Sequence, residues 1–431
     1  MTGTQIITGQ VLSFVASPFE TPPDDAVQIN EAVLIKGGHV TAVGDLRALR
    51  HQVPDAPVDH RPDQVISAGF VDAHVHYPQT AIIASWGKRL KAWLKTYTFP
   101  EEIKFKNPAY AAEIAGRYLD LALSCGTTTM ASYCTSHPAS VEAFFAAAQA
   151  RGLRAVAGKT CMDCNAPAAL CDTVQSGYDD SAKLIAKWAG RGRLSYAITP
   201  RFAPTSTEEQ LAAAGALWAE NPECAMQTHL SEQTEEIAWM KELFPSDEDY
   251  LSVYQRHDLC GPGALMGHAI HLTDRERAAL RDTGAAVAHC PTSNAFIGSG
   301  LCDVTGLKSQ MVSVGLATDV GGGSSFSMLA TMKSAYEIGQ LRGNAMSPAQ
   351  LWWLATKGSA DALRISGHVG TLAPGMEADI VALDPVATPV LAQRTARAES
   401  IEDILFALLI LGDDRAIAET WVSGTPQKAL K

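Results

Sequence analysis

Eight times between Ala68 and Val320 the chain passes from a short apolar run to an amphipathic stretch, and this alternation limits the fold more than any other feature. The runs are AGFVDAHVH, TTTMASYCT, RAVAGKTCM, LSYAITPRF, CAMQTHLSE, GALMGHAIH, AAVAHCPTS and VSVGLATDV, each long enough for one buried strand. Helical patterns such as PAYAAEIAGRYLDLAL, PASVEAFFAAAQARG and TDRERAALRDTG lie between them. Strand and helix alternating in this way predict an α/β protein built on a (β/α)8 TIM barrel. Ser206 with Glu209, and Thr273 with Glu276, have the spacing of capping boxes at helix starts. Outside the barrel, both ends of the chain are rich in short β segments. The Gly37-Gly38 pair between two extended runs predicts a hairpin, and EADIVALDP and AETWVSG repeat the texture near the C-terminus. The expected organisation is a β-sandwich domain with its N-terminal part over 1–66 and its C-terminal part over 373–431. The metal-dependent barrel lies between them, over 67–372.

A formal charge of -12 argues against a polyanionic partner, since phosphate binding needs a basic surface. A small neutral substrate meets no such repulsion. The N-terminal MTGTQIITGQVLSF lacks the basic and apolar regions of a secretory signal, and the apolar run Ile404 to Leu411 is too short to span a bilayer. The nine cysteines are scattered and odd in number, which fits reduced thiols. The expectation is a cytoplasmic protein with neither nucleic acid nor membrane as partner.

In a (β/α)8 barrel, reacting groups gather at the C-terminal ends of the strands. The first run ends in His74 and His76, the fifth holds His229, the sixth His268 and the eighth Asp319. Alternate residues of a strand face the same way, so His74 and His76 can address one point. A histidine at one strand end is more often structural. Five such residues at the same end of successive strands predict a metal site formed by His74, His76, His229, His268 and Asp319. Nitrogen and carboxylate ligands suit one Zn2+, with Fe2+ as the main rival, and zinc chemistry is hydrolytic. Glu232, three residues beyond His229, is placed to carry a proton to substrate, as attack on a C=N bond requires.

GFVDAHVH, HLSE, GHAIH, HCPTSN, ATDVG and GTLAPGMEADIVALD together resemble the amidohydrolase superfamily in its one-metal aminohydrolase branch, over essentially the whole chain. HVHYPQT, YTFPEE, KTCMDCNAP, ITPRFAPTS and CPTSNAFIGSGL narrow the resemblance to the guanine-deaminating members of that branch. The resemblance implies zinc-dependent hydrolysis of guanine to xanthine and ammonia by a homodimer. It implies that His74, His76, His229 and Asp319 are metal ligands. His268 lies close to the metal and is a second catalytic candidate, touching either metal or substrate. Asp319 takes a proton from the attacking water, and Glu232 protonates the purine at N3 and then helps ammonia leave. The guanine-contacting positions it implies are Gln79, Arg201 and Phe202, together with His229, His268 and Asp319. Read without the resemblance, Arg201 is a barrel-rim ion pair and Phe202 a core residue. Other amino-substituted heterocycles, namely an oxidised guanine, a pterin or a triazine, remain alternative substrates, and a two-metal cyclic amide hydrolase is a further alternative.

Some features invite other readings. Cys161 and Cys164 form a C-x-x-C, but no proline precedes them and no H-x-E accompanies them, which argues against a second zinc site. Lys159 falls on the third run, whereas a lysine bridging two metals would be expected on the fourth, so Lys159 reads as a buried partner or a substrate-side charge. His271 and His289 lie near strand ends, and His268 is favoured over His271 as the inner residue. Trp86, Trp93, Tyr97 and Phe99, within the 77–107 segment, suit packing or a lid equally.

Overall fold

The computed structural model describes residues 3–427. Four strands come first: β1 (Gln5–Phe14), β2 (Val27–Lys36), β3 (His39–Gly44) and β4 (Val58–Ala68). The central strands are β5 (Phe70–His76), β6 (Thr127–Tyr133), β7 (Arg154–Gly158), β8 (Thr160–Cys161), β9 (Leu194–Pro200), β10 (Ala225–Leu230), β11 (Ala264–His268), β12 (Ala286–His289) and β13 (Val314–Leu316). The last are β14 (Ile380–Leu383), β15 (Ile417–Val422) and β16 (Thr425–Pro426).

The eight predicted apolar runs are the eight strands of one parallel path, β5-β6-β7-β9-β10-β11-β12-β13, with β8 paired to β9. Backbone bonds from His76 N to Val320 O (2.7 Å) and from Asp319 N to His74 O (2.9 Å) join its first strand to the segment after its last. Strands of such a barrel are covered on both faces, and β5, β6 and β7 are buried at every position. Packing is tight enough to demand a glycine where β7 meets β9, because a Cβ on Gly158 would lie 1.7 Å from the Ala197 carbonyl oxygen. The predicted helices are present as Pro108–Ser124, Pro138–Ala150 and Asp274–Thr283. Thr273 and Glu276 cap the last of these reciprocally.

Ser206 is not a cap. A 3-10 turn over Ala203–Thr205 extends the end of β9, and the Ser206 N–H closes it on the Ala203 carbonyl. The first residue free to cap the helix Glu208–Glu220 is therefore Thr207, whose hydroxyl accepts from Gln210 N.

The remaining strands form a seven-stranded sheet in the order β16-β15-β14-β4-β1-β2-β3, so segments from both ends of the chain make the expected β-sandwich-like domain. Gly37 and Gly38 take φ of 57° and 82° between paired Lys36 and His39, as a two-residue hairpin turn requires. Ile7, Val11, Val33, Ile66, Ile380 and Trp421 share its apolar core.

The described residues divide into two compact units. One takes the chain up to Asp72, then Asp120–Thr129, then the described residues from Phe326 onward; the other takes Ala73–Leu119 and Met130–Ser325. The apolar run near the C-terminus is the helix Ile401–Leu411, with Leu405, Leu408 and Leu409 buried. No helix among the described residues is long and apolar enough to cross a membrane, and none of the nine cysteines, all of them described, is in a disulfide.

Candidate active site and metal centre

β5 stops packing against apolar neighbours at its end because its last alternate residues are imidazoles aimed at one point. The His74 and His76 ring centroids are 5.1 Å apart, and Tyr133 of β6 packs on both, at 4.7 and 4.6 Å. His229 comes from the end of β10. Its Nδ1 lies 2.7 Å from the carbonyl oxygen of Arg201, just past β9. A carbonyl oxygen can only accept, so the proton of this contact is assigned to Nδ1 and Nε2 carries the lone pair. That Nε2 faces His76 Nε2 at 3.2 Å.

Asp319 and His268 complete the cluster through unusual backbone. Both take left-handed φ, 49° and 66° respectively, a conformation that L side chains rarely adopt and that concentrates at functional sites. Asp319 Oδ1 lies 3.4 Å from His74 Nε2 and 3.5 Å from His76 Nε2. His268 Nδ1 meets Asn294 Oδ1 at 2.8 Å, which turns Nε2 toward Glu232 Oε2 (3.6 Å) and Asp319 Oδ2 (3.7 Å). Glu232 Oε1 accepts from Ser299 Oγ at 2.9 Å.

Burial lowers the pKa of His74, His76 and His229, so at neutral pH all three present lone pairs. Burial raises Asp319, but the hydrogen bond from His74 and the charge of His268 outweigh it and bring its pKa to about 2. Glu232 is raised by burial, against the pull of His268. His268 is lowered by burial, yet Glu232, Cys290 and Asp319 outweigh that and leave it well above its ordinary value. The cluster therefore combines neutral imidazoles, a firm carboxylate, and a Glu232–His268 pair whose pKa values are both raised.

This donor set fits a divalent ion. A tetrahedral ion with bonds of roughly 2.0–2.1 Å sets its ligand atoms about 3.3 Å apart. The spacings of 3.2, 3.4 and 3.5 Å among His76, His229, His74 and Asp319 match. Two groups of ligand atoms lie within 4.8 Å of one another, His74 with His76 and His229, and His74 with His268, Cys290 and Asp319. Cys290 went unnoticed in the sequence, although it lies within the quoted HCPTSN. Burial pushes its pKa up to about 11, so it stays a thiol beside the cluster.

The cluster opens into a cavity lined also by Gln79, Trp93, Arg201, Phe202 and Glu236. Arg201 does form an ion pair, but it is buried and not on the rim: Nη1 and Nη2 reach the two carboxylate oxygens of Glu102 at 2.8 and 3.1 Å. Phe202 belongs at once to the wall and to an apolar cluster with Leu94, Phe99, Met162 and Leu170. Within the 77–107 segment, Trp93 and Phe99 are packed inward while Trp86 is 84% exposed.

The remaining candidates lie apart from the ligand groups. Lys159 is buried in an ion pair with Asp172 (2.5 Å). Cys161 Sγ points to the Lys159 carbonyl and Cys164 Sγ to that of Pro204. His271 Nε2 meets the Ser299 carbonyl at 2.8 Å. His289 is buried, with neither ring nitrogen hydrogen-bonded and its pKa pushed down to about 3 by burial.

Glu236, also missed in the sequence, props the loop that carries Glu232. It accepts from the backbone N–H of Glu232 and Gln233 and from the Tyr250 hydroxyl. Burial raises its pKa to about 7. A carboxyl raised on folding contributes stability that is complete below its unfolded value, about 4.5, and lost as pH climbs through 7. Denaturation of wild type should therefore show stability falling between those values, by on the order of 3 kcal/mol from this group. Glu236→Gln should flatten that slope, and an unchanged slope would rule Glu236 out as its source.

Residues 65–426 match the family described as Amidohydrolase family. The chain belongs to the amidohydrolase family. A family relative, the guanine deaminase of Escherichia coli K12, is 42% identical over 91% of this chain and 90% of its own. The probable guanine deaminase of Deinococcus radiodurans is 39% identical over 97% of this chain and 98% of its own. Among solved structures, E. coli guanine deaminase superimposes with a TM-score of 0.95 at 40% identity, covering 98% of this chain and 99% of that one. The guanine deaminase of C. acetobutylicum, solved with guanine in its active site, gives 0.89 at 27% identity, covering 98% and 100%.

Proposed function

We propose that this amidohydrolase is a guanine deaminase: guanine and water give xanthine and ammonia, with the exchange at C2. The observation that carries the reading is the placement of Glu232. Its carboxyl, with a pKa raised by burial, shares one cavity with the ligand cluster and with Gln79, Arg201 and Phe202. The relatives of highest similarity named above are guanine deaminases.

In this reading His74, His76, His229 and Asp319 hold one divalent ion, Zn2+ by the chemistry of its donors, with His268 beside it. When bound, such an ion supplies hydroxide from water near neutral pH. Asp319 accepts the proton that water gives up. Glu232 delivers a proton to N3 of the purine, so that negative charge does not build up on the ring as the C2–O bond forms. Now ionised, the same carboxyl takes the proton of the new C2 hydroxyl as C2=O forms and hands it to the amino group, which leaves as ammonia, and the proton held by Asp319 restores Glu232. His268 Nε2, 3.6 Å from Glu232 Oε2, orients that carboxyl. Phe202 offers its ring to the flat face of the base, and Arg201 with Gln79 addresses its polar edge. Lys159 is committed to Asp172 and offers no bridge for a second metal. A homodimer in the cytoplasm accompanies this reading.

The test is ultraviolet conversion of guanine to xanthine, with ammonia release, by protein loaded with one equivalent of zinc beside a chelated control. Zinc-dependent turnover is expected. A protein that binds one ion tightly and leaves guanine unchanged would redirect the search to other amino-substituted heterocycles.

A further inference from the structure

Glu101 and Glu102 are adjacent carboxylates that part company. Glu101 bonds Lys104 and Tyr110 on the outer side, whereas Glu102 is turned inward and is 1% exposed. Three donors converge on Glu102: Arg201 Nη1 at 2.8 Å, Arg201 Nη2 at 3.1 Å and Gln79 Nε2 at 3.3 Å. Glu102 itself does not line the cavity, but both of its partners do.

An ionised carboxylate only accepts hydrogen bonds. The Gln79 amide must therefore turn its NH2 toward Glu102, and its Oε1 is left as the free acceptor of that side chain. Arg201 spends two of its five N–H groups on Glu102. The others meet no acceptor among the described residues. A carboxylate that touches no substrate thereby settles the polarity of two side chains that do, and the wall offers an acceptor beside an array of donors. The matching ligand edge is an N–H next to a C=O, the lactam edge of a 6-oxopurine. A 6-aminopurine reverses that pattern.

We infer that Glu102 is a positioning residue that makes the pocket selective for 6-oxo over 6-amino purines, by fixing the Gln79 amide and the Arg201 fork. This rests on the proposed function. In Glu102→Gln the new amide offers an N–H where the carboxylate offered only oxygens, so Gln79 rotates and turns its own NH2 to the cavity. Sites built to pair a polar edge lose most on that edge.

The experiment compares guanine with 2,6-diaminopurine, which keeps the C2 amino group, in wild type, Glu102→Gln and Glu102→Asp, with metal content measured in each. Wild type should prefer guanine strongly. Glu102→Gln should cut kcat/KM for guanine about tenfold or more, mainly through KM, with little loss for 2,6-diaminopurine and one metal ion retained. Glu102→Asp, which keeps the acceptor-only group, should recover part of the preference. If Glu102→Gln does not fold, Gln79→Met carries the test, and its preference should fall in the same direction. Equal losses on both purines, or a loss in kcat alone, in a background where wild type deaminates guanine would overturn the role of Glu102 and leave the proposed function intact. Wild type that leaves guanine unchanged would overturn both.

Discussion

Glu232→Gln is expected to keep its metal ion and lose about 10³ in kcat, within the usual range for removing a general acid. The amide has the shape of the carboxyl and can still accept from Ser299 Oγ, so the wall of the cavity keeps its form. What it cannot do is hold and release a proton at the position 3.6 Å from His268 Nε2. The loss should fall on kcat, because the proton moves only during reaction. Steady-state kinetics with metal analysis of the same preparation would check this. A fully active variant would remove Glu232 from the chemistry.

Asp319→Ala should do more, since it removes both a proposed ligand and the proposed base. The carboxylate lies 3.4 Å from His74 Nε2 and 3.5 Å from His76 Nε2, and its low pKa, about 2, keeps it charged at any working pH. Without it the cluster is three neutral imidazoles with no anion to balance a dication. The variant should lose its metal on dialysis against a weak chelator, and turnover should drop by about 10⁴ or more. The contrast with Glu232→Gln matters: one variant is inactive with metal, the other inactive without it. An Asp319→Ala protein that held one ion and turned over guanine would break the proposed ligand set.

Much of the barrel was legible because burial writes itself into a chain as apolar periodicity. All eight runs are strands, and the ends of those strands name His74, His76, His229, His268 and Asp319 as residues that share one mouth. The pairing of His74 with His76 follows from the two-residue period alone. Ser206 was misread because a capping box is a spacing rule, and the spacing cannot register the extra 3-10 turn that moves the cap to Thr207.

The sequence by itself determined the strand–helix alternation, the β-rich ends and the residue types that can bind a metal, since each is a local pattern of polarity. Only the tertiary structure decided their geometry. Left-handed backbone at His268 and Asp319 turns those side chains inward, and the Arg201 carbonyl selects the His229 tautomer. Glu102 reaches Arg201 across 99 residues of chain, and Cys290 comes within ligand distance of His74, His268 and Asp319. These are contacts between residues remote in sequence. No local period encodes them, because the distance between two side chains is set by how whole strands and loops pack.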